Sequence, residues 1–144
     1  MTDRDPALAP FDALIGTWTT EATHPMFEGV VQGTSTFEWL EGDRFLVQRS
    51  RNDHDQFPDA ISVIGAPEAG DGLVMEYFDS RGVRRTYRVS IEDGVWRIWR
   101  DHSGFDQRMS AEISPDGFVA QYQLAETRGE WKDDLRAIYR RVSR

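Results

Sequence analysis

Three histidines (His24, His54, His102), four tyrosines and scattered arginines are the residues of this chain with the most chemistry to offer. Histidine titrates near neutrality and serves as an acid or base wherever a cleft positions it. His24 is the best placed of the three, because it continues the strand face marked by Trp18. Asp53-His54-Asp55 carries metal-friendly side chains, but a loop triplet of this kind reads as solvated, and no His-x-His or His-Glu-x-x-His spacing occurs. No metal site is expected. Arg85-Thr86-Tyr87 sets a guanidinium and a phenol on one strand face, a charged and a neutral donor suited to a carboxylate. The same spacing also reads as an arginine at a strand end beside a core tyrosine. The glycine-rich run 65–72 is acidic and no helix follows it, so it is a loop and not a phosphate cradle. Cysteine is absent and there is no Gly-x-Ser-x-Gly elbow, which removes thiolate chemistry and the hydrolase-type serine.

The elements that must position these groups are strands. The opening holds the one helical signal: Asp5-Pro6 reads as an N-cap with proline in the first turn, and Leu8, Phe11, Leu14 and Ile15 recur on one side. From Gly16 onward the apolar period is two. Strands are expected at 16–23, 31–39, 44–51, 60–66, 73–79, 83–91, 95–100, 107–114, 117–126 and 131–142. Short turns such as Glu92-Asp93-Gly94 and Ser114-Pro115-Asp116-Gly117 separate most of them and force neighbours antiparallel. The longer irregular pieces, 24–30 and 52–59, are expected as rim loops. About ten antiparallel strands in one small domain spanning 1–144 have two edges to hide, and closure hides both. The expected fold is all-β, an up-and-down barrel with a short N-terminal helix.

Alternation assigns faces once a residue is anchored. Trp18 brings Thr20, Ala22 and His24 inward; Phe37 and Trp39 define the inner face of their strand. Val89 and Ile91 bring Arg85 and Tyr87, Met109 brings Phe105 and Gln107, and Phe118 brings Tyr122. In the last strand Trp131, Leu135 and Tyr139 bring Asp133, leaving Asp134 outside. The faces of 44–51, 73–79 and 95–100 stay open; Trp96 and Trp99 fall on opposite sides, so one of them is expected to be exposed, at a rim or a dimer interface. The candidate ligand-binding set is therefore His24, Trp39, Arg85, Tyr87, Gln107, Tyr122, Asp133 and Tyr139. Polar groups converging inside an apolar barrel describe a small-molecule site. They equally describe a self-satisfied interior, with an Arg85–Asp133 pair serving structure alone.

The net charge of −8 and the lack of any basic block beyond Arg84-Arg85 and Arg140-Arg141 argue against nucleic acid and anionic membranes as partners. No apolar run reaches the ~18 residues of a membrane span. The acidic start does not read as a signal peptide, so a cytoplasmic location is expected.

Gly16-Thr17-Trp18 resembles the Gly-x-Trp opening of lipocalins and the wider calycin group. The segments Thr36-Phe37-Glu38-Trp39-Leu40-Glu41-Gly42, Tyr77-Phe78-Asp79-Ser80-Arg81-Gly82-Val83 and Trp99-Arg100-Asp101 resemble a group of small lipocalin-like bacterial proteins across about residues 11–142. That resemblance implies a calycin-type barrel and no particular activity. Nitrobindin, a ten-stranded haem barrel, is a more distant likeness. Here Thr20 and Ala22 replace its glycines, and no histidine follows His102 to ligate haem, so no cofactor is expected. Fatty-acid-binding barrels grip a carboxylate with Arg-x-Tyr, the spacing of Arg85 and Tyr87, although here it falls on a middle strand.

The leading expectation is binding of a small hydrophobic or amphipathic molecule, with a carboxylate as one option. A second is a cofactor-independent cyclase, isomerase or hydratase, in which His24, Arg85 and Asp133 would act on a substrate oriented by the cavity. A third is a filled barrel that serves as an interaction module, using Trp96 or Trp99 in a homodimer.

Overall fold

The computed structural model describes residues 5–144; the first four residues of the acidic opening lie outside the described residues. Ten antiparallel strands follow a short helix: β1 (Gly16–His24), β2 (Phe27–Trp39), β3 (Phe45–Asn52), β4 (Ala60–Gly65), β5 (Leu73–Asp79), β6 (Arg84–Glu92), β7 (Val95–Arg100), β8 (Asp106–Glu112), β9 (Gly117–Ala125) and β10 (Lys132–Ser143). Each strand pairs with its sequence neighbour, and β1 also pairs with β10, closing the sheet. Closure leaves no open edge, so the backbone donors and acceptors of every strand have partners on both sides. The β6–β7 hairpin shows the local code at work. Asp93 and Gly94 both have positive φ (53° and 75°) between the paired residues Glu92 and Val95, the two-residue turn whose twist suits a hairpin.

The helix, Pro6–Leu14, is of the 3₁₀ type, and it plugs one end of the barrel. Asp5 caps it by accepting the Ala7 N–H at 2.9 Å. At three residues per turn Leu8, Phe11 and Leu14 stack on one side, and all three are buried. Its last carbonyls are held by Arg141 of β10, which donates to Ala13 O at 2.7 Å and Ile15 O at 2.8 Å while stacking on the Trp18 ring at 4.0 Å. Beneath the plug, Trp18, Phe37, Trp96, Phe118 and Tyr139 interlock, mostly edge to face. This end of the barrel is solid.

Four expectations need correction. Residues 24–30 are not a long loop, because β1 turns at Pro25-Met26 and β2 begins already at Phe27. Trp96 is fully buried, and Trp99 is half-buried on the outer face opposite Arg88 and Arg108, so neither indole stands exposed. Trp39 does point inward, but at the plugged end, where its indole donates to Asp12 Oδ1 at 2.9 Å. Trp131 and Asp133 lie outside. A bulge in β10, where Asp133 pairs with Gln123 but Arg136 pairs with Gln121, inserts one residue and reverses the alternation. Among the described residues no helix is long and apolar enough to cross a membrane.

Candidate functional site

The end of the barrel opposite the plug is hollow. A cavity of about 580 Å³ opens between the β1–β2 turn, the β3–β4 loop and the β5–β6 turn, a volume within the usual range for small-molecule sites. It exists because the walls carry small inward residues. Ala22 of β1 pairs with Ala137 of β10, and Ser50, Ala60 and Ser62 supply the facing side on β3 and β4.

Six of the eight sequence-derived candidates line this space: His24, Arg85, Tyr87, Gln107, Tyr122 and Tyr139. Trp39 and Asp133 do not. Asp133 is exposed and accepts from Gln123 Nε2 at 3.0 Å, so the Arg85–Asp133 pair does not form. The bulge turns Asp134 inward in its place. Asp134 Oδ1 sits 2.7 Å from His24 Nε2, and His24 Nδ1 accepts the Met26 N–H at 3.0 Å. A ring whose Nδ1 accepts must carry its proton on Nε2, so His24 donates to the Asp134 carboxylate. Both nitrogens are engaged. His24 ties the β1–β2 turn to β10 and presents no free base to the cavity.

Two groups of the lining come from strands whose facing the alternation left open. On β3, buried Gln48 donates to Ser35 Oγ at 3.0 Å and to the Tyr139 hydroxyl at 3.4 Å, a polar floor just above the aromatic plug. Burial raises the Tyr139 pKa, although its bonds to Gln48 and Ser35 work the other way. On β5, the Tyr77 hydroxyl donates to Asp79 Oδ2 at 2.7 Å; burial first, and then this bond, push its pKa up. Tyr87 donates to Gln107 Oε1 at 3.2 Å.

Asp79 ties the β5–β6 turn together. Burial alone would raise its carboxyl, but donors from the Arg81 side chain, Tyr77, and the backbone N–H groups of Arg81 and Val83 outweigh that and hold it well below the usual carboxylate range. A folded-state pKa below the unfolded one means that the contribution is complete above about pH 4 and is lost as pH falls below it. Asp79→Asn is expected to lower the melting temperature at pH 7 and to flatten its fall in acid. Parallel acid limbs for variant and parent would contradict this role.

Arg85 is different. Its guanidinium lies 5.3 Å from the Phe105 ring centroid and has no carboxylate partner among the described residues. The neighbouring Arg81 is paired with Asp79 at 2.7 Å, and Arg108 is held by Gln123 at 2.8 Å and by the Trp131 ring. A half-buried cation in a cavity, with no carboxylate beside it among the described residues, keeps its charge available for pairing. The lining offers haem no free imidazole, since its one histidine is His24. Among the described residues no cluster of three or more His, Asp or Glu side chains is arranged to hold a metal ion.

No family model matches this sequence, and no curated protein matches it. Among solved structures, the crystal structure of Rv2717c from M. tuberculosis superposes with a TM-score of 0.65 over 97% of this chain and 99% of that one, at 17% identity. A likeness at that identity speaks to fold alone. The chain is an all-β, closed ten-stranded antiparallel barrel whose topology matches the calycin type. One half of the barrel is filled and the other is hollow.

Proposed function

We propose that this calycin-type barrel binds a small amphipathic acid, apolar body inward and anionic head at Arg85. The observation that carries the reading is the unpaired Arg85 guanidinium on the wall of a 580 Å³ cavity. The apolar part of the lining, with Met75, Ile98, Met109, Leu124 and Leu135, suits a hydrocarbon body. A charged hydrogen bond contributes about 1.5–3 kcal/mol, enough to select acid over alcohol.

The geometry favours binding over catalysis. Of the three groups an enzyme would have used, His24 has both nitrogens engaged and Asp133 faces solvent, which leaves Arg85 alone. Native mass spectrometry of the protein purified from its own host is expected to show a bound adduct that, once released, ionises as an acid. A neutral adduct, or bare protein alone, would contradict the reading.

A further inference from the structure

All four tyrosines of the chain line the cavity. Three hydroxyls are committed within the protein: Tyr77 to Asp79, Tyr87 to Gln107, and Tyr139 to Gln48 and Ser35. The fourth is not. Tyr122, on β9 opposite the β10 bulge, has no hydrogen-bond partner for its hydroxyl among the described residues. Its ring is enclosed by the barrel and partly accessible from the cavity, next to Met109 of β8. Burial, reinforced by Tyr139, Tyr87, Tyr77 and Asp134 nearby, raises its pKa well above the ordinary phenol value, so the group stays a neutral O–H donor.

We propose that the ligand is an oxygenated acid, one that presents a carbonyl, ether or hydroxyl oxygen to Tyr122 in addition to its anionic head. This rests on the reading of Arg85 as the anion site. The physical reason is an asymmetry. An open cavity admits water to the Tyr122 hydroxyl, and a plain hydrocarbon chain excludes water there without offering a bond in its place. An enclosed hydroxyl left without a partner is penalised, and a site built to donate to an oxygen discriminates against the analogue lacking it. Tyr122 therefore selects against simple fatty acids, and Arg85 selects against uncharged lipids. Together they define a ligand with two polar points on an apolar body.

The test is calorimetric titration of the parent, Tyr122→Phe and Arg85→Met with laurate and with a series of oxolaurates carrying the carbonyl at successive carbons. At least one oxolaurate is expected to bind the parent about five- to tenfold tighter than laurate, the range for a neutral hydrogen bond. Tyr122→Phe should erase that advantage without weakening laurate, and it should melt no lower than the parent because the hydroxyl it removes has no partner to lose. Arg85→Met should weaken laurate and oxolaurates alike and preserve their ratio. No oxolaurate surpassing laurate in the parent, or an advantage that survives Tyr122→Phe, would overturn the proposal. If Arg85→Met leaves every acid unaffected while Tyr122→Phe still erases the preference, the anion site is wrong and the Tyr122 contact stands. Failure of the parent to bind any of these acids would overturn both.

Discussion

Trp18→Ala is expected to destabilise the barrel by about 3–5 kcal/mol, the range for emptying a large aromatic site in a close-packed interior. For a chain of this size that corresponds to a fall in melting temperature on the order of 10–15 °C. Trp18 is fully buried where the plug meets the sheet, and it holds three things at once. Its indole N–H donates to Leu14 O at 2.9 Å, fastening the end of the 3₁₀ helix. Its ring packs edge-on against Phe118 at 5.0 Å and Tyr139 at 6.3 Å. Its other face carries the Arg141 guanidinium, which in turn holds the helix carbonyls. Trp18→Phe keeps much of the volume but loses the hydrogen bond, so its loss should be intermediate. Thermal melts of both variants within error of the parent would mean that the plug does not depend on Trp18.

Ala22→Phe is expected to weaken laurate binding at least about 100-fold, equivalent to roughly 2.7 kcal/mol, while leaving the melting temperature unchanged or raised. Ala22 lines the hollow half, so an added ring occupies space that no side chain fills. Ala120 supplies the contrast. It lies in the same lateral row through Ala137 but belongs to the packed interior and does not border the cavity. Ala120→Phe should therefore cost about 1–3 kcal/mol as ordinary overpacking. Equal destabilisation by both substitutions would show that the two halves of the barrel are filled alike. Unchanged laurate binding in Ala22→Phe would place the ligand elsewhere.

Much of this architecture can be read from residue order because the physics behind it is local. Period-two alternation follows from the pleat, and turns such as Asp93-Gly94 announce themselves by their need for positive φ. The positions of Leu8, Phe11 and Leu14 likewise suit a helix with one buried side. Alternation, however, fixes the face of a side chain and not its depth along the barrel axis. Trp39 shows this: its face is right, but the end of β2 carries it to the plug, away from the hollow. A bulge is harder still, because it needs no turn residue. In β10 the inward role passes from Asp133 to Asp134 through one extra backbone residue with no mark of its own. Two adjacent aspartates in a strand are at most a hint, since one of them must face in. Tyr77 and Gln48 stayed hidden because both faces of their strands carry apolar residues: Leu73 and Met75 inside β5 against Val74 and Phe78 outside, Leu46 inside β3 against Phe45 and Val47.

The central claim, an anionic head held at Arg85 within the hollow half of the barrel, is tested most directly by one paired titration. Laurate and dodecanol differ in the head group alone, and Arg85→Met removes the charge while keeping an apolar stem. Laurate is expected to bind the parent and to lose about 10- to 100-fold in the variant, as the loss of a charged hydrogen bond requires. Dodecanol should bind both proteins with affinities within about twofold of each other, because its hydroxyl gains little from a cation. Equal losses for acid and alcohol, or undiminished laurate binding in Arg85→Met, would contradict the assignment of Arg85 as the anion site.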